Sequence, residues 1–151
     1  MVRAVVRADA GVMSTSLHSR APLASRSATP WPLVLTLAAV ALVRPLLSIT
    51  GLADDWGRPL TPLLATAAIT AVWIGAVLVT RQADPVRVLV ATGLVYAVLA
   101  TALSGVLSPI LDGELHGPLT NPIALVAMLA VNAGWGALAG MLALRLRRRR
   151  S

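Results

Sequence analysis

The sequence predicts an all-α integral membrane protein: a four-helix bundle with both termini on the cytoplasmic side (N-in/C-in). Three observations carry that expectation. The first is composition. The chain is 57% hydrophobic and 13% charged, with a mean hydropathy of +0.80, whereas soluble domains hold about 45–50% apolar and about 25% charged residues. The second is segregation: the apolar residues fall in four blocks of roughly 20, the length a helix needs to cross about 30 Å of hydrocarbon. The third is arginine placement. With four crossings, Arg3, Arg7, Arg20, Arg26, Arg81, Arg87 and the five arginines from Arg145 to Arg150 share one side, against Arg58 alone on the other. Basic residues near span ends stay cytoplasmic, and an odd number of crossings would part the two basic ends. A chain of 151 residues suits one domain.

The spans are expected at about 32–52, 62–80, 85–107 and 122–144. Three starts share one mechanism. Thr61-Pro62, Asp84-Pro85 and Asn121-Pro122 each set an N-cap residue before a Pro at the first helical position, where a missing N–H costs nothing. Ser108-Pro109 closes the third span. Residues 1–30, rich in Arg and Ser with Asp9 as their one acid, are expected as a disordered cytoplasmic tail; they also have the look of a transit peptide, and Met13 is an alternative start. Residues 31–145 form the transmembrane domain and 146–151 a basic cytoplasmic tail. Gly57-Arg58-Pro59-Leu60-Thr61-Pro62 is echoed by Gly117-Pro118-Leu119-Thr120-Asn121-Pro122, as duplicated hairpins or recurrent capping would produce.

No cysteine is present, which excludes a disulfide framework and a thiolate metal site or nucleophile. Arg without Lys is better explained by a GC-rich coding sequence than by selection for bidentate phosphate contacts. The Arg145–Arg150 run directly follows a span, so it is expected as a topology anchor that attracts anionic lipid headgroups, with no nucleic-acid role. Asp112, Glu114 and His116 alternate in an outer connection; a solvated acidic loop is the better account than a divalent-cation site. No metal site and no cofactor are expected.

Membrane helices associate through close approach at small residues and through interhelical hydrogen bonds. The third span carries Gly93, Ala97, Thr101 and Gly105 at every fourth position, the second Ala67, Ala71 and Gly75, and the fourth Gly136 and Gly140 with Asn132 one step earlier. This pattern predicts a compact left-handed bundle with the third span central, and offers Gly136 and Gly140 as a dimer contact. Trp73 and Trp135 are expected to pack within the bundle, and Trp31 and Trp56 to anchor at the interface.

Arg44 is the most informative residue. The apolar run before it, Leu33–Val43, is too short to cross alone, so the helix must continue past a charge at membrane depth. Such a charge costs about 2.5–3.5 kcal/mol on insertion scales and ordinarily faces the bundle interior. Pro45 follows, predicting a kink whose freed carbonyls could accept from the guanidinium. Counting at 1.5 Å per residue brings Arg44, Tyr96 and Asn132 to similar depth. They are expected as one polar cluster, either an anion or polar-solute site or a structural knot that sets helix register.

The stretches ALVRPLLSITGL and NAGWGALAG resemble small uncharacterised four-span membrane proteins of high-GC bacteria. The resemblance spans about residues 30–150, implies a bacterial plasma membrane protein and carries no transferable function. Small multidrug transporters are similar in size alone, because their motif depends on a Glu in the first span, where this chain has Arg44. No span holds an acid or His, and no Ser/His/Asp or two-carboxylate arrangement occurs in the spans, which argues against an enzyme. The leading expectation is a non-catalytic accessory or assembly partner of a membrane complex, working through a membrane protein partner or a homo-oligomer. The alternative is a small oligomeric transporter or channel around Arg44.

Overall fold

The computed structural model describes residues 28–49, 60–113 and 118–149. Their elements are α1 (Trp31–Ala41), α2 (Val43–Ile49), α3 (Leu60–Val79), α4 (Pro85–Asp112) and α5 (Pro122–Arg148), with a 3-10 turn over Pro118–Thr120. No strand occurs among the described residues. Three helices, α3, α4 and α5, are long and apolar enough to cross a membrane, while Trp31–Leu47 forms a shorter apolar stretch. Outside the described residues lie the tail 1–27, the segments 50–59 and 114–117, and residues 150–151. With them go the expectations for Trp56, Arg58, Glu114, His116 and the end of the first span.

The capping logic operates at two of the three starts. The Asp84 carboxylate accepts from the Arg87 amide at 3.0 Å, and Asn121 Oδ1 accepts from the amides of Ile123 (3.0 Å) and Ala124 (3.3 Å). At the third, α3 already begins at Leu60, so Thr61 lies inside the first turn instead of capping it.

Other boundaries differ from expectation. The first apolar block is not one continuous helix: it breaks at Leu42, between α1 and α2. The break precedes Pro45 because a proline has no N–H for the carbonyl four residues back and its ring crowds that same carbonyl, here that of Ala41. The Leu42 amide instead turns to the Ala39 carbonyl at 3.1 Å. Ser108-Pro109 does not close the third span. Pro109 is internal to α4, which ends at Gly113 in the left-handed conformation (φ 73°). One lost ladder bond near a helix end is tolerable, and only the glycine supplies the terminating geometry. Likewise α5 runs on through Arg145, Arg147 and Arg148, since arginine is a good helix former and its charge suits the C-terminal dipole.

Packing centres on α4, whose broadest contact is with α5; α1 also packs on α4, and α3 on α5. The α4–α5 seam is built from small residues in antiparallel register. A methyl on Gly93 would strike the Asn132 carbonyl, one on Gly136 the Leu89 carbonyl, and one on Gly140 the Val86 backbone. Ala97 is fully buried, and the buried Thr101 hydroxyl donates to Met128 Sδ at 3.6 Å. Gly105 lies against the Leu119 side chain. Gly136 and Gly140 are therefore taken up within the chain, and neither is left open for the dimer contact. By contrast, Ala67 and Ala71 are exposed and nothing approaches Gly75 within 4 Å, so the small residues of the second block form no seam here.

Outward faces are apolar: Val79 is 82% and Ile123 80% exposed, with Leu64 and Ile110 close behind. Extended apolar surface of this kind is uncharacteristic of a soluble monomer and suits lipid. Along the helices and at the end of α3, the hydroxyls of Thr36, Thr66, Thr70, Thr80 and Thr92 each donate to the carbonyl four residues earlier, the local pairing that lets a hydroxyl avoid an unsatisfied state.

α3 ends in a Schellman turn. The Gln82 amide reaches the Val77 carbonyl at 3.1 Å and the Arg81 amide the Leu78 carbonyl at 3.2 Å. Arg81 occupies the left-handed position, at φ 49°, where glycine is usual. From α5, Arg147 donates to the Gln82 carbonyl at 3.0 Å. That bond holds the α3–α4 turn at the same end of the fold as the α5 C-terminus, which gathers Arg81, Arg87, Arg145, Arg147 and Arg148 there.

Candidate functional site

Pro45 breaks the first apolar block, and Arg44 follows the break by two residues. It borders a cavity of about 200 Å³ lined by all five helices. Tyr96 and Asn132 line the same cavity, so the three residues matched by depth in the sequence are brought together. Arg44 itself is exposed. It stands at the rim, not in the bundle interior where a mid-span charge was expected, because among the long helices the short α2 packs chiefly on α3. The carbonyls freed at the break do not hold it: its guanidinium has no hydrogen bond or ion pair among the described residues.

Around that cation the walls are mixed. Ile69 and Val131 are apolar; Thr66, Thr70 and Trp135 add polar groups. These are already paired. Thr70 Oγ1 donates to the Thr66 carbonyl at 2.7 Å and accepts from Trp135 Nε1 at 3.0 Å, and the Thr66 hydroxyl donates to the Pro62 carbonyl at 2.8 Å. Asn132 Nδ2 donates to the Met128 carbonyl at 2.8 Å. Since only the NH₂ side of an amide can face a carbonyl, this bond fixes the amide's orientation and leaves Oδ1 as an acceptor with no partner among the described residues. Tyr96 is 8% exposed and its hydroxyl has no partner among the described residues. No fully buried side-chain nitrogen or oxygen lacks a partner among the described residues, so this hydroxyl reaches the open space of the cavity its residue lines.

No known family, curated protein or solved structure matches this chain. Its chemistry must be read from the cavity itself.

Trp73 is buried, and its Nε1–H donates to the Leu37 carbonyl at 3.1 Å, tying α3 to α1 beside the cavity. It is the packing residue the sequence suggests. Trp135 departs from that expectation: it is 45% exposed and forms part of the cavity wall. Sequence reasoning also passed over Thr66 and Thr70. Their signal was present, because Thr66, Thr70 and Trp73 recur at helical spacing and mark one polar-edged face of α3. Among the described residues no group of three metal-ligating side chains occurs. The arrangement offers one cation, one hydroxyl and one amide acceptor. It can hold and orient a small polar molecule, and it contains no base–nucleophile pair.

Proposed function

We propose that this chain is a four-span protein of a bacterial plasma membrane, with both ends in the cytoplasm, that binds a small anionic solute at the Arg44 cavity as a transporter or channel subunit does. One observation carries the reading: three polar residues, Arg44, Tyr96 and Asn132, line one cavity, and the Arg44 guanidinium, the Tyr96 hydroxyl and the Asn132 oxygen have no partner among the described residues. A cation at membrane depth faces a water-filled cavity or pairs with an opposite charge or a backbone carbonyl, and no span of this sequence contains an acid. A second copy of the chain would bring another arginine to that depth and no carboxylate within its spans. A counter-charge at that depth is supplied by a different molecule in this reading, and a cavity of about 200 Å³, below the usual drug-sized pocket, suits a small one.

The arginines gathered at one end of the helices support the topology, and that end would lie against anionic headgroups. No catalytic step belongs to this reading. The direct test is anion-dependent flux or binding in liposomes of wild type and Arg44→Gln: loss in the variant with unchanged helicity supports the site, and equal behaviour of the two refutes it. Reporters fused to each terminus test the topology, and opposite faces would refute it.

A second reading, an accessory subunit of a membrane complex, is favoured by an apolar groove of about 300 Å³ lined by Val40, Val43, Leu47, Ala65, Ala68, Ile69 and Val72, beside Arg44. There the counter-charge is an acid on a partner helix, and stoichiometric co-purification of such a partner is its test.

A further inference from the structure

Resting on the anion-site reading, we infer that the ligand is a small hydroxycarboxylate: its carboxylate meets Arg44, and a neutral hydroxyl donates to Asn132 Oδ1. The guanidinium offers donors only, in a fork that matches a carboxylate. A bare anion would satisfy it and still leave the Asn132 oxygen facing an acceptor or nothing. The Met128 carbonyl takes one N–H of the Asn132 amide and so sets Oδ1 on the opposite side, where only a donor can meet it. A ligand that carries a donor as well as a negative charge satisfies both groups. An ammonium is a poor donor here, since Arg44 repels it and no carboxylate in any span compensates. A hydroxyl adds no charge, and the Tyr96 hydroxyl, donor and acceptor at once, accommodates either end. Size agrees: the cavity of about 200 Å³ has room for several waters at about 10–15 Å³ each, and so for an acid of a few carbons.

Two tryptophans on the cavity wall, Trp73 and Trp135, supply the signal. The full chain in detergent is titrated with sodium glycolate, acetate and glycine against sodium chloride at matched ionic strength, following tryptophan fluorescence. Glycolate is expected to bind about tenfold more tightly than acetate, the worth of one good hydrogen bond, with glycine weaker than either. Asn132→Ala should abolish the glycolate advantage, so that glycolate and acetate bind alike. That variant keeps the helix seam, because Asn132 approaches Gly93 through its backbone carbonyl. Arg44→Gln should abolish both. Equal affinities for glycolate and acetate in the wild type, or a glycolate preference that survives Asn132→Ala, overturn the hydroxycarboxylate inference while the anion site stands. Glycine binding as well as glycolate overturns the exclusion of ammonium. If no anion binds and Arg44→Gln changes nothing, the underlying reading fails too.

Discussion

Gly134 and Gly136 lie two residues apart on α5, yet the fold treats them oppositely. A Cβ at Gly136 would stand 2.7 Å from the Leu89 carbonyl carbon and 3.0 Å from Val90 Cα, where ordinary contact begins at 3.4 Å; at Gly134 nothing lies within 4 Å. The obstructing atoms are backbone, so no side chain can turn aside. The Leu89 carbonyl oxygen lies nearer still, so Gly136→Ala must push α4 and α5 apart by about 1 Å, a gap that forfeits up to about half of each dispersion well along the seam. Overpacking of this sort costs about 1–3 kcal/mol. Alanine returns about 1 kcal/mol in helix propensity at either site, so comparing the two variants cancels that gain. Gly136→Ala should be less stable than Gly134→Ala by about 1–3 kcal/mol. Titration of the protein in mixed micelles with sodium dodecyl sulfate, followed by far-ultraviolet circular dichroism, measures the difference. Equal midpoints, or a Gly134 variant that is the weaker, would refute the claim that α4 and α5 meet backbone to backbone at Gly136.

Other positions give independent checks. Trp73→Phe removes the 3.1 Å bond to the Leu37 carbonyl and part of a buried ring, and should lower the same unfolding midpoint by about 1–2 kcal/mol. Ala71→Leu, on the exposed face of α3, should change stability by less than about 0.5 kcal/mol; a larger loss would mean that this face packs after all. Arg81→Gly should stabilise the end of α3 by about 1 kcal/mol by relieving a left-handed non-glycine residue, again by detergent titration. Pro45→Ala restores an amide for the Ala41 carbonyl, so hydrogen exchange should find that new amide protected and α1 continuous with α2.

Much of the fold is legible in the sequence for a simple reason. In lipid every backbone group must be paired within its own segment, so apolar length and composition nearly suffice to predict α3, α4 and α5. Asp84 and Asn121 announce their helices because a cap is a local interaction between neighbours in sequence. Small residues at every fourth position of α4 announce a seam for the same reason, since the helical repeat sets them on one face. Local rules failed where a competing cause lay nearby. Pro109 looks terminal until Gly113 supplies the true end, and the effect of Pro45 falls four residues upstream of itself.

Which seam each small residue joins was beyond local reading. Ala67, Ala71 and Gly75 carry the same pattern as Gly93, Ala97 and Thr101, yet only the α4 face meets a partner, because partner choice depends on how whole helices fit. The cavity divides in the same way. Depth along each span follows from counting residues at a constant rise, and this aligned Arg44, Tyr96 and Asn132 in advance. Rotation about each helix axis does not follow from counting. It is set by the packing of α4 on α5 and of α3 beside them, and that packing put Thr66, Thr70 and Trp135 on the cavity wall and Arg44 at its rim.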